Sequence, residues 1–475
     1  MARVSGSRGI VLLRGGDVPL YRQIYQHFRV AIGAGQLRPG HRLPSVRRLA
    51  EEFATARGTI DAAYAMLAGE GYVVSRGPAG TMVSPALGES TIGKSVVKRR
   101  PAEEVEPRPP SAPRPFQMGL PALDAFPRKI WSRVVARQAR EFSAADMAYP
   151  DPAGFAPLRE TIAEYLATSR GISCLARQIL ITNGYQGALD LTLDVLLDRN
   201  DKVWLEDPCY PLTRAALAAS NAQLVPIRVD GDGLCVADGV AQAPRARLAV
   251  ITPSHQSPLG VALSLPRRLA LLSWASDTGA FVLEDDYDSE FHYVGRPLPP
   301  LKSLDRHERV LYAGSFSKVL FPSLRLGYLV VPEELIAAFT HANQRRNFGA
   351  ATLTQRVVAA FMAEGHFARH VKRMRGLYAA RRHALAHALT TVLDVDVDLS
   401  PGGMHLIVRL GGGARDVTLA KRAQAAGLAV EALSSRAVAH PCEPGLLLGF
   451  TNVAETDAVA LCRRLARAIG VARAA

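Results

Sequence analysis

The spacing of apolar positions changes character several times along this chain. Between residues 19 and 71 they recur every third or fourth position. Leu20, Ile24, Phe28 and Ile32 fall on one face of a predicted helix that Gly33 and Gly35 end. LPSVRRLAEEF predicts a second, shorter helix with Ser45 as its N-terminal cap. TARGTIDAAYAMLAGEG predicts a third, with Thr55 as cap, Ile60, Tyr64 and Leu67 facing inward and Gly71 at its end. The period then falls toward two in YVVS and TMVS, joined by RGPAG, which is a hairpin signal. From about residue 89 to 115 the pattern lapses. Pro101, Pro107, Pro109, Pro110, Pro113 and Pro115 exclude a helix there and favour an extended spacer.

From Phe116 onward, short apolar runs alternate with helical stretches. QILIT, KVWLE, QLVPIRV, LAVIT, FVLED, VLYAG and LGYLVV read as strands of a sheet covered by helices. Three regions follow. Residues 14–86 form three helices and a hairpin, a winged helix-turn-helix; 87–115 are a proline-rich, charged linker. Residues 116–475 form an α/β domain whose last part, from about 376, reads as a smaller α+β subdomain. No internal repeat is visible.

A hydrophobic fraction of 48% and a mean hydropathy of +0.06 fit well-filled globular cores. No apolar run approaches the length of a membrane span, and the N-terminal apolar run is too short for a signal peptide, so a cytoplasmic location is expected. The five cysteines (Cys174, Cys209, Cys235, Cys442 and Cys462) are scattered without a Cys-x-x-Cys pair. That argues against a disulfide framework and a zinc site, and for small buried side chains. The net charge of +14 is unevenly spread: residues 1–100 hold 15 Lys or Arg against 6 Asp or Glu. Such an excess is the footprint of a module that meets phosphate backbones.

In a helix-turn-helix the second helix of the pair enters the major groove and its first residues reach base edges. Here those are Ala56, Arg57, Gly58 and Thr59, a long bidentate donor and a hydroxyl among small neighbours. Arg47 and Arg48 are placed for the DNA backbone, as is Arg76 in the wing.

In the larger region the strands end in TNGYQ, EDPCY, TPSH, EDDYD and GSFSK, and ligands of open α/β sheets gather at the carboxyl ends of strands. Lys318, at the end of VLYAG among small residues, is suited to a Schiff base with an aldehyde. Ser315, Ser317 and Arg325 can hold a phosphate beside it, as can the open N–H groups of Gly184, Tyr185 and Gln186 at a helix start. Asp285 can pair with a protonated pyridine nitrogen. Tyr287 can bond a ring hydroxyl and Tyr210 can stack on the ring face. Together these groups meet the needs of pyridoxal 5'-phosphate.

Two resemblances are specific. The segments L-R-P-G-H-R-L-P-S-V-R-x-L-A, R-G-T-I, A-Y-x-x-L-x-x-E-G-Y and R-G-x-x-G-T resemble the winged-helix domain of the GntR family, although that family usually has Ser where Ala56 stands. The resemblance implies binding of double-stranded DNA as a dimer through Ser45, Arg47, Arg57, Thr59 and the wing at Gly80. The order TNGYQ, EDPCY, SHQSPLG, EDDYDSEF, SFSK, PSLRLGY resembles the fold type I aminotransferases. Joined, the two resemble the MocR subfamily of regulators. This implies Lys318 as the internal aldimine, Asp285 on the pyridine nitrogen, Tyr287 on the ring hydroxyl, Tyr210 stacking, and Ser315, Ser317 and Arg325 on phosphate. It also implies a head-to-tail, domain-swapped homodimer. The chain departs from the aminotransferases at Ser257-Pro258-Leu259-Gly260, where they carry N-P-T-G, and in GLLLGFTN, which lacks their carboxylate-binding arginine. Arg436 is the candidate effector-binding replacement.

The expected function is a PLP-dependent transcription regulator that senses the cofactor, or an amine or amino acid reacting with it, and controls vitamin B6 or amino-acid genes. The alternatives are an active aminotransferase carrying a DNA-binding domain, or a repressor whose large domain is a dimerisation scaffold.

Overall fold

The computed structural model describes residues 3–5, 11–14, 18–77, 80–87, 112–295, 297–347, 350–395, 397, 399–411 and 415–470. Residues 88–111, which include most of the expected linker, lie outside the described residues, as do Pro78 and Ala79 of the wing. The chain divides into two compact units, Met1–Pro109 and Pro110–Ala475.

The smaller unit opens with an antiparallel pair, β1 (Arg3–Ser5) and β2 (Val11–Leu13), that the sequence pattern did not predict. Helices α1 (Leu20–Gly33), α2 (Val46–Glu52) and α3 (Arg57–Gly69) follow, then the hairpin β3 (Val73–Ser75) and β4 (Thr81–Val83). The core joins Leu12 to Ile24, Phe28, Ile32, Ile60, Tyr64 and Leu67, the stripe that the helical spacing predicts. Ser45 caps α2: its Oγ accepts from the Arg48 backbone N–H at 3.3 Å. Thr55 is not the cap of α3. Ala56 holds that position without a side-chain bond, and the Thr55 N–H closes instead on Ala50 O.

The larger unit begins with α4 (Arg128–Arg140) and α5 (Ala156–Arg170). It continues through β5 (Ile179–Thr182), α6 (Gly184–Leu196), β6 (Lys202–Asp207), α7 (Pro211–Ala219), β7 (Gln223–Asp230), β8 (Gly233–Leu234) and α8 (Val236–Gln242). Next come β9 (Leu248–Ile251), α9 (Leu265–Thr278), β10 (Phe281–Asp286), α10 (Leu301–Leu304), β11 (Val310–Ser315), α11 (Phe316–Val319) and β12 (Gly327–Val330). These eight strands form one sheet in the order β5-β12-β11-β10-β9-β6-β7-β8. Strands β7, β6, β9, β10 and β11 run parallel, while β12 runs antiparallel to both its neighbours. Strands β6, β9, β10 and β11 are buried on both faces, which is why they read as nearly unbroken apolar runs, while β7, nearer the sheet edge, is partly exposed.

Helices α12 (Ile336–Asn347), α13 (Thr352–Ala363) and α14 (His366–Leu393) lead to the last part of the unit. There β13 (His405–Arg409), α15 (Asp416–Ala425), β14 (Glu431–Ala432), β15 (Gly445–Gly449) and α16 (Ala458–Ile469) surround a three-stranded sheet. Its core takes in Met374 and Tyr378 of α14, and the helix runs unbroken through Gly376. Cys209, Cys235 and Cys462 are buried, Cys174 and Cys442 half-buried, and all five are free thiols. Among the described residues no helix is long and apolar enough to cross a membrane.

Candidate cofactor site and DNA-binding surface

The carboxyl ends of the parallel strands open onto a cavity of about 330 Å³. Tyr185, Gln186, Tyr210, Asp285, Tyr287, Ser315, Ser317, Lys318, Arg325 and Arg436 line it. Gly184, the remaining residue singled out for this site, does not. It starts α6 with a φ of +73°, and Gly327 lets it pack against β12, because a Cβ there would lie 2.9 Å from Gly184 Cα.

Lys318 stands on the single turn of α11, held where β11 ends. Its Nζ donates to Gly119 O at 2.9 Å, and a Cβ on Gly119 would overlap that amine. Burial lowers the Lys318 pKa against the opposing pull of Asp285, Asp288 and Glu431, which favours the neutral, nucleophilic amine. Asp285 is the penultimate residue of the buried strand β10. Burial raises its pKa well above the usual carboxylate value, with Asp286 adding to the rise. Asp286 itself bonds Arg170 and Tyr312, so of the adjacent pair one carboxylate is structural and the other faces the cavity. Among the described residues the Asp285 side chain accepts no hydrogen bond from the protein.

Tyr287 Oη lies 2.9 Å from His255 Nδ1. Tyr210 precedes α7, its ring tilted 56° to that of Tyr185 at 6.5 Å, and the Tyr185 hydroxyl shares a 2.9 Å bond with Thr213. Ser315 Oγ accepts from Ser317 N, and Arg325, in left-handed backbone, donates to Asn183 O at 3.3 Å. No side chain caps α6, so its first N–H groups are left without a side-chain acceptor.

Arg436 is buried and paired with Glu431, a partner that no local pattern announced. Its loop is pinned to the end of β6. Asp207 accepts from Val438 N, Ala439 N and His440 N at 2.7 Å each, and Cys209 N donates to Arg436 O. Ser257, in the SHQSPLG motif, lines the cavity too, where the aminotransferases carry asparagine. The cavity also uses Gly119, Met404 and His405, which sequence reasoning did not assign to it and which come from segments far from the motif loops.

In the smaller unit Arg57 opens α3 and is exposed, with Thr59 half-buried behind it. Arg47 is exposed and paired with Glu51 at 3.0 Å; Arg48 and Arg76 are exposed too. Gly80 has a φ of +81°, and a Cβ there would sit 3.0 Å from the Arg42 guanidinium.

The sequence pattern described as "Bacterial regulatory proteins, gntR family" matches residues 20–83, and "Aminotransferase class I and II" matches residues 127–446. The chain is 36% identical to the probable rhizopine catabolism regulatory protein MocR of Rhizobium meliloti, over 94% of this chain and 92% of that one. The chain belongs to the MocR subfamily of GntR-type transcription regulators. It is also 34% identical to the HTH-type transcriptional regulator TauR of Rhodobacter capsulatus, over 88% and 90% of the two chains. Among solved structures it resembles kynurenine aminotransferase of Pyrococcus horikoshii, described in complex with PMP and KYN as substrates and KYA as products. There the TM-score is 0.70 at 28% identity, over 79% of this chain and 98% of that one. This MocR-type chain is therefore a DNA-binding regulator joined to a fold type I aminotransferase domain whose cofactor is pyridoxal 5'-phosphate. The residues present fit that cofactor. A buried carboxylate without a protein donor suits a pyridine N–H, and a desolvated amine cradled by a glycine suits an aldehyde.

Proposed function

We propose that this regulator senses pyridoxal phosphate, or a primary amine or amino acid that reacts with it, and that occupancy of the cavity changes its affinity for operator DNA. The observation carrying the reading is the convergence of Lys318, Asp285 and Tyr287 on one cavity of a chain that also bears a GntR-type domain. When bound, the cofactor supplies an electrophilic carbonyl and an electron-withdrawing ring. Lys318 would hold it, Asp285 would keep its ring nitrogen protonated and Tyr287 would bond its ring oxygen. Tyr210 would cover the ring face, and Ser315, Ser317, Arg325 and the α6 start at Gly184, Tyr185 and Gln186 would bind its phosphate. Arg436 would receive an effector carboxylate once Glu431 yields.

On DNA, Arg57 and Thr59 would reach base edges, while Ser45, Arg47 and the wing at Gly80 would hold the backbone. The working form would be a head-to-tail homodimer in the cytoplasm, with residues 14–86 as the DNA-binding domain, 87–115 as the linker and 116–475 as the sensor. The effector shifts an equilibrium only by its differential affinity for the two states.

The test compares wild type with Lys318→Ala by visible absorption, before and after adding pyridoxal phosphate, and by operator footprinting with and without candidate amines. Wild type should show a lysine-dependent band, and its footprint should change with cofactor or amine. Footprints indifferent to both refute the sensor. A buried arginine in the cavity also favours a second reading, residual transamination, for which sustained turnover of an amino donor with a keto acid is the test.

A further inference from the structure

Behind Tyr287 lies a second cavity, of about 190 Å³, between the loop after β9, the segment after β10 and residues 401–403. Five buried polar atoms of its lining make no hydrogen bond: Ser254 Oγ, His255 Nε2, Asp288 Oδ2, Ser289 Oγ and His292 Nε2. They are half of the ten such atoms among the described residues, so unsatisfied polarity is concentrated at this one place. A cavity of this size and polarity has room for several waters.

His255 stands between the two cavities. Its Nδ1 is 2.9 Å from Tyr287 Oη and 3.1 Å from Asp288 Oδ2, while Gly260 and Gly403 leave room for its Nε2 edge. The Nδ1 position is directed at Tyr287 Oη, and a lone pair there, 3.1 Å from the Asp288 carboxylate oxygen, would be repelled by that charge. Nδ1 therefore carries hydrogen, and the Tyr287 oxygen accepts from it.

We propose that His255 is a positioning residue for Tyr287. Asp288 fixes it as the Nδ1–H donor, and water in the second cavity partners Nε2. Tyr287 is thereby left to turn its own hydroxyl hydrogen toward the cofactor cavity, where Ser257 and the ring oxygen lie. The other titratable groups facing His255 are His292 and, across the loop, His405, whose pKa burial pushes down to about 4, so it stays neutral near pH 7. The inference rests on Tyr287 meeting the ring oxygen.

The test titrates the visible band of the cofactor-loaded full chain against pH for wild type, Tyr287→Phe, His255→Phe and His255→Asn. The Asn Nδ2 reproduces the Nδ1 donor but cannot reach the second cavity. Tyr287→Phe and His255→Phe should move the midpoint in the same direction by about one pH unit, and His255→Asn should recover most of the wild-type value. If Tyr287→Phe shifts the midpoint and His255→Phe does not, the inference fails and the Tyr287 assignment stands. If neither shifts it, both fail. Nitrogen NMR of histidine-labelled, cofactor-free protein gives a readout without cofactor. His255 should appear as the Nδ1–H tautomer in wild type and lose that preference in Asp288→Asn. An Nε2–H tautomer in wild type overturns the inference even where His255→Phe fails to fold.

Discussion

Gly119 offers the sharpest check on how the Lys318 amine is held. Its φ is +63°, so alanine there costs about 1–2 kcal/mol from left-handed backbone alone. Its new Cβ would overlap Lys318 Nζ and break the 2.9 Å bond to Gly119 O, adding about 1 kcal/mol. Gly171 is the matched control: its φ is +66°, but a Cβ there meets nothing within 4 Å. Both variants should lose about 1–2 kcal/mol of stability, with Gly119→Ala losing about 1 kcal/mol more. Only Gly119→Ala should slow the appearance of the visible band on adding pyridoxal phosphate, by about tenfold if turning the amine back costs about 1.4 kcal/mol. All three tryptophans, Trp131, Trp204 and Trp274, lie in the larger unit, so their fluorescence during urea unfolding reports on that unit alone. Equal stability and equal uptake in the two variants would refute the idea that Gly119 cradles the lysine.

Three further outcomes are expected. Arg57→Ala should weaken operator binding by about 1–3 kcal/mol and relax sequence preference, whereas Arg47→Ala should weaken all sequences alike and reduce the salt slope by about one, as gel-shift titrations at several salt concentrations would show. Phe28→Ala empties a fully buried site and should cost the smaller unit about 3–5 kcal/mol, abolishing DNA binding while the visible band persists. Burial pushes Glu206 up to about 7, above its ordinary value, so its contribution to stability is complete below about pH 4.5 and lost as pH rises through 7. Glu206→Gln should therefore gain on wild type by on the order of 3 kcal/mol between pH 5 and 8, and parallel tryptophan-monitored profiles would contradict this.

What the sequence revealed depended on how local the cause was. Strands buried on both faces announce themselves as apolar runs, and all seven runs became strands, the partly exposed β7 included. The cap at Ser45 is set by its neighbours and was equally legible. Thr55 failed because the third helix begins only at Arg57, which puts Ala56 in the cap position, a one-residue shift that composition does not encode. The β1–β2 pair is three residues a side and rests on Leu12 reaching a core built from residues well downstream. The antiparallel course of β12 and the continuity of α14 through Gly376 depend on long-range packing. In the cavity, motif loops exposed Lys318, Asp285 and Tyr287. Gly119 reaches Lys318 from 199 residues away, and Glu431 meets Arg436 through a turn that only the folded β14 region creates.

The three backbone N–H groups that Asp207 gathers at the end of β6 make the arginine wall of the cavity a fixed ruler. Arg436 is carried on a strap tied by hydrogen bonds to the end of β6, so a ligand carboxylate meeting it would be measured from an anchored point. New ligand lengths are then best accommodated by exchanging other lining side chains, such as Ser257, Met404 or Leu212, while the strap stays untouched. Diversification of such a site would leave its anchor in place and rewrite the rest of its lining.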